Sequence, residues 1–195
     1  MELSLHLRVG LFAAALVAPV AAQAENAFYL KGGFSRITDN TQTLDSQARK
    51  LDTVSTGTYG MLFEHRTQRD IAFGVEYFNY RNDFLPPNTT GAGVATTRSV
   101  QFVVKKYLGQ DVFHPFFGLG VGVARTTVDY GGGAWNDEDV GLAMQATLGL
   151  ELRFHEMGLM FEAKRLVYDM DNIFNSSSSY NPSAIALFAS IGFNW

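Results

Sequence analysis

An all-β fold is predicted: an eight-stranded antiparallel up-and-down transmembrane β-barrel, preceded by a cleaved signal peptide. Three features of the 195-residue sequence predict it. Apolar residues recur at every second position over long segments, the signature of strands with one apolar face. The connections between these segments alternate between long and short. An export leader precedes them all.

Residues 1–24 hold one basic residue, Arg8, then an apolar run from Val9 to Val20, then Ala22 and Ala24. The two alanines have the A-x-A spacing that signal peptidase reads. A run of about 12 residues is too short for a spanning helix, which needs roughly 20. Cleavage after Ala24 is therefore expected, leaving residues 25–195 as the barrel domain. Hydrophobic residues make up 47% of the chain and charged residues 17%, which excludes disorder. A net charge of -4 gives no basic footprint for nucleic acid. With no Cys, disulfides, thiol catalysis and Cys-ligated metals are excluded.

The first segment, 27–37, sets Phe28 on its apolar face and Lys31 on its polar face. In 54–65, the least regular segment, Tyr59 opposes Glu64. Segment 71–80 opposes Tyr77 to Gly74 and Glu76; 98–107 carries Lys105 on its polar face. Segment 115–126 lines up Gly118, Gly120 and Gly122 at a strict period of two. The longest, 142–154, sets Leu142, Met144, Ala146, Leu148, Leu150, Leu152 and Phe154 against Ala143, Gln145, Thr147, Gly149, Glu151 and Arg153. In 158–168, Arg165 interrupts the face formed by Leu159, Phe161, Ala163 and Val167. A β-bulge or a place near the lipid headgroups would each explain it. The last segment sets Ile185, Leu187, Ala189, Ile191, Phe193 and Trp195 against Ala186, Phe188, Ser190, Gly192 and Asn194, with Phe188 out of pattern.

Long polar connections are expected at 38–53, 81–97, 127–139 and 169–183, and short ones at 66–70, 108–114 and 155–157. Membrane barrels have this asymmetry, with short periplasmic turns and longer external loops. An even strand number leaves both termini at the short-turn end.

Alternation alone does not say which face meets a core, and a secreted lipocalin-like ligand-binding barrel also has eight strands. The polar face, however, is rich in small residues, which suit the narrow interior of eight strands. It also carries Lys31, Glu64, Glu76, Lys105, Glu151, Arg153, Glu162 and Lys164. Four positive and four negative groups are the balance a closed interior requires, because buried charges persist only when paired. The apolar face supplies aromatic girdle candidates in Phe28, Tyr59, Tyr77 and Trp195. Lipid is therefore expected outside.

Other constellations carry less. GLGVG (118–122) lacks nucleotide-loop spacing, and its glycines belong to a strand. His65, His114 and His155 fall beside three separate short turns, an arrangement that does not converge on a metal. Asp137, Glu138 and Asp139 lack calcium-loop spacing. Trp135, beside Gly131–Gly133, is a candidate loop contact. The sequons at Asn88 and Asn175 read as loop residues in this setting. No catalytic, cofactor-binding or metal residue is assigned.

The leader, FFGLGVGVA, QATLGLELRFHEMGLMFEAKRLVYD and terminal IGFNW resemble the small eight-stranded outer-membrane proteins of Gram-negative bacteria, the OmpA transmembrane-domain, OmpX and opacity-protein group. That resemblance implies residence in the outer membrane, without enzyme activity or cofactor. It implies contact with outer-membrane lipid and lipopolysaccharide, and four external loops that meet host or other surface ligands. It also implies that Ile191, Phe193 and Trp195 form the C-terminal signal read by the barrel-assembly machinery, Trp195 standing where Phe is more usual. The alternatives are a barrel enzyme that modifies lipid A, whose expected His-x-Ser signature is absent, and the soluble ligand-binding barrel.

Overall fold

The computed structural model describes residues 25–38, 41–44, 47–50, 52–53, 56–85, 93–109, 111–130, 135–169 and 183–195. Eight long strands follow in chain order: β1 (Glu25–Ile37), β2 (Thr56–Arg66), β3 (Ile71–Leu85), β4 (Gly93–Tyr107), β5 (Phe113–Tyr130), β6 (Trp135–Phe154), β7 (Met157–Asp169) and β8 (Ala184–Asn194). Each pairs antiparallel with its neighbours in sequence, and β8 pairs back onto β1 from Asn194↔Ala27 to Ala184↔Ile37. The sheet is closed, which removes every unpaired edge.

Register fixes the shape. A lateral walk from Arg36 passes Ile185, Arg165, Ala146, Leu119, Val104, Phe73 and His65, then returns to β1 at Asn26. The ten-residue offset between Arg36 and Asn26 is the barrel's shear. With usual strand rise and spacing, it corresponds to a strand tilt of about 40°.

The three connections at one end are tight. Residues 67–70 close on Thr67 N–H to Ile71 O (2.8 Å), with Asp70 at φ 56°. The β4–β5 turn uses Gly109 at φ 97° and Asp111 at φ 60°. At Gly109 a side chain would be strained in that left-handed conformation and would also meet Phe113 O. The β6–β7 turn holds only His155 and Glu156 between its strands. At the other end the connections are 38–55, 86–92, 131–134 and 170–183. The first includes a small hairpin, Thr41–Leu44 with Gln47–Lys50, and Asp52–Thr53 pairs with Leu85 and Phe84 of β3.

Two expectations need correction. The spans 81–97 and 127–139 are not loops throughout: β3 runs to Leu85, β4 begins at Gly93, and β5 and β6 stay paired out to Tyr130↔Trp135. Past the apolar band the outward residues turn polar, at Thr127, Asp129 and Glu138. The hydrophobic period therefore fades while the backbone ladder continues. No bulge lies at Arg165, whose register with Ala146 and Ile185 is unbroken. Phe188, out of pattern in sequence, is buried and packs edge-on against Phe78, centroids 6.4 Å apart.

Outward residues of the strands form an apolar belt, in which Leu148 is 67% exposed and Trp195 61%. The core lies inside the barrel, where rings fold over glycines. The Tyr29 ring covers Gly192, and Phe116 covers Gly149 so closely that an added Cβ would sit 2.4 Å from its Cζ.

Candidate functional site

The strand period sends every second residue inward, and at eight strands those side chains fill the interior. Here they form one connected ladder of charge. Gln145 Nε2 donates to Glu76 Oε2 (2.7 Å), and Lys164 Nζ donates to the same oxygen (2.7 Å). Lys31 Nζ reaches Glu76 Oε1 at 2.6 Å and also Glu162. Lys105 Nζ joins Glu162 Oε1 (3.3 Å) to Glu64 Oε2 (3.4 Å). Arg66 Nη2 then donates to Glu64 Oε1 (3.0 Å) and Glu151 Oε2 (2.8 Å), and Arg153 ties Glu151 to Glu25 at 3.1 and 2.6 Å.

All eight charged residues singled out by sequence lie on this ladder. Sequence reasoning misses Arg66 and Glu25, because the hydrophobic period puts a short turn at 66–70 and starts the first strand at residue 27. A signal for Arg66 was present: it lies two residues past Glu64 on the same inward period. With them the ladder holds five cations and five carboxylates. Aromatic groups complete it. Tyr107 donates to Glu64 Oε1 (2.7 Å) while its ring stacks under the Arg66 guanidinium at 3.6 Å. Tyr29 donates to Glu151. Lys31 and Lys164 flank the Phe188 ring at 5.9 and 5.8 Å.

The ladder stops short of the external end. Tyr80 lies four residues beyond Glu76 on β3, and Tyr168 four beyond Lys164 on β7; their rings sit 6.2 Å apart. With Phe78, Leu166, Phe188 and small alanines they form a buried apolar cluster across the bore. The Thr97 and Thr126 hydroxyls pair at 2.9 Å nearby. Among the described residues, paired charge below and packed rings above fill the barrel axis with side chains.

The remaining candidates fall as follows. His65 Nδ1 meets Asn26 Oδ1 at 3.0 Å, His114 Nε2 meets Asp111 O at 2.8 Å, and His155 holds φ 54° in its own turn. Among the described residues no group of three His, Asp or Glu is placed to hold a metal. Glu138 pairs with Arg125 on the outer face of the β5–β6 hairpin. Trp135 is the first residue of β6, and its side chain lies outside the described residues, as do Asn88, Asn175 and the serines 176–179. Ile191, Phe193 and Trp195 face outward at the short-turn end, where Trp195 meets the Phe63 ring at 6.2 Å and its backbone pairs with Asn26. Phe28 also lies toward that end, whereas Tyr59 and Tyr77 lie nearer the external rim. Residues 1–24 are outside the described residues.

The family model described as the outer membrane protein beta-barrel domain matches residues 10–193. Among solved structures, Neisserial surface protein A superposes with a TM-score of 0.58 at 12% identity, covering 89% of this chain and 98% of the other. The Pseudomonas aeruginosa outer membrane protein OprG gives 0.56 at 15%, covering 87% and 96%. The Yersinia pestis attachment invasion locus protein Ail, solved with the heparin analogue sucrose octasulfate, gives 0.54 at 10%, covering 89% and 100%. No curated protein matches the chain.

Proposed function

This chain belongs to the outer membrane protein β-barrel domain family and resides in the cell outer membrane, and from that premise we propose that it is a non-catalytic surface protein whose barrel holds four external connections out to meet ligands. The filled bore is the observation that carries this reading: paired charge and packed rings occupy it, so solute traffic is not its task. The connections at 38–55, 86–92, 131–134 and 170–183 gather at one end of the barrel, and loops on a rigid scaffold are where binding concentrates. Trp135, at the edge of the third connection, is the aromatic we assign to contact. A polyanion bound to Ail, a relative in fold only, is the kind of surface ligand this reading accommodates.

The interior ladder is structural in this account and holds the barrel in one register. Export uses residues 1–24, cut after Ala24, and Ile191, Phe193 and Trp195 hand the chain to the assembly machinery. The test has two arms. Epitopes inserted at residues 90 and 177 should be stained by antibody on intact cells, and lipid A mass spectra should be the same with and without the protein. Unstained epitopes, or a new lipid A species that depends on the protein, would contradict the reading.

A further inference from the structure

Toward the external end of the strands the outward-facing positions carry a set of arginines: Arg36 on β1, Arg81 on β3, Arg98 on β4 and Arg125 on β5. At the tilt given by the register, each residue along a strand rises about 2.5 Å and each step across to the next strand about 3 Å. That arithmetic puts these four Cα atoms within about 4 Å of one level. The level of Phe113, Phe154 and Trp195 lies about 28 Å below, close to the height of an outer-membrane apolar band. The arginines thus mark the external headgroup plane.

Arg165 does not share that level. It faces outward about 6 Å lower, where acyl chains begin. It is a near neighbour of Arg36, because both flank Ile185 in the lateral row Arg36–Ile185–Arg165–Ala146–Leu119. Two strand spacings, about 10 Å, separate their backbones, so both guanidiniums can reach one anion. Arg81 pairs with Asp83 and Arg125 with Glu138, whereas neither Arg36 nor Arg165 has an ion pair among the described residues. An uncompensated charge this close to hydrocarbon is costly and calls for a counter-ion.

The surface beside Arg165 is concave. Ala146 and Ala163, diagonal neighbours on β6 and β7, are shorter than Phe117, Leu119, Leu148 and Ile185 around them. They leave an apolar groove of about 560 Å³ with Arg165 on its rim. The geometry points to a lipid site: an acyl chain of the outer leaflet's phosphorylated glycolipid, lipopolysaccharide, lies in this groove while one of its phosphates is held between Arg165 and Arg36. The site deepens, and rests on, the outer-membrane reading above. Two neighbouring guanidiniums suit a phosphomonoester dianion better than the single charge of a phospholipid diester.

Native mass spectrometry of the purified mature barrel, with short-core lipopolysaccharide as the titrant, tests the site. The wild type should retain one glycolipid. Arg36→Ala/Arg165→Ala should weaken retention at least tenfold, and Ala163→Leu, which fills the groove and keeps the charge, at least fivefold. Arg125→Ala should leave it unchanged, and Arg36→Lys/Arg165→Lys should restore part of it. Wild-type retention by both the arginine and groove variants overturns the site. So does equal binding of dephosphorylated lipid A or of phosphatidylglycerol to the wild type, a comparison that holds even if a variant fails to fold. A barrel that is folded in the outer membrane but retains no glycolipid defeats this inference alone. Absence from the outer membrane defeats the reading beneath it.

Discussion

Lys31 on β1 and Glu76 on β3 meet inside the barrel with Nζ 2.6 Å from Oε1, and neither side chain is exposed. Glu76 also accepts from Lys164 and Gln145, both at 2.7 Å, so it is the carboxylate on which the external half of the ladder converges. Glu76→Ala would leave two lysines buried without that partner, a change that costs about 3–5 kcal/mol. By contrast Arg81→Ala removes an exposed pair, Arg81–Asp83, worth about 0–1 kcal/mol. Urea unfolding in detergent, followed by tryptophan fluorescence, should separate the two variants clearly. Equal midpoints would remove the ladder's structural role.

Two glycines that look alike in sequence should behave oppositely. Around Gly32 an added Cβ meets nothing within 4 Å, whereas at Gly192 it would lie 2.3 Å from the Tyr29 ring. Gly32→Ala is expected to be neutral. Gly192→Ala should cost about 1–3 kcal/mol as overpacking and, by displacing Tyr29, disturb its bond to Glu151. The same unfolding measurement decides it; equal losses at both positions would contradict the packing described.

The lipid face gives a depth-dependent prediction. Leu148, 67% exposed, lies near the middle of the apolar band. Leu148→Arg should therefore cost about 2–4 kcal/mol in liposomes, whereas an arginine near the interface costs about 0–1 kcal/mol. Val140→Arg, near the external level of β6, supplies that second case. If the two variants refold equally well, the outward face does not meet hydrocarbon.

How much of this was legible follows from which residues carried a period. Leu142 to Phe154 alternate without a break, and both the strand and its lipid face followed. Beyond the band, Arg125, Thr127 and Asp129 no longer contrast with their inward neighbours. The strand ends there were lost, since backbone pairing leaves no mark on hydropathy. Phe188 looked wrong because an inward ring is justified only by Phe78 and by Lys31 and Lys164, all distant in sequence. The lipid groove was out of reach for the same reason: Arg36 and Arg165 become neighbours only when β8 closes the sheet.

Export makes a prediction of its own. The mature protein from the outer membrane should begin at Glu25, and intact-mass measurement reads this directly. A mass that retains Arg8 and the Val9–Val20 run would mean that the leader is not removed.

The central claim is a closed barrel set in the outer membrane with its apolar face toward lipid. The most direct test is to express the chain with its leader in a Gram-negative host, isolate outer membranes, and compare boiled with unboiled samples on a denaturing gel. The account predicts that the protein is in the outer-membrane fraction and that its migration shifts on boiling, as the closed sheet resists cold detergent. Soluble protein in the periplasm with no shift would contradict it, and would place the apolar face inward.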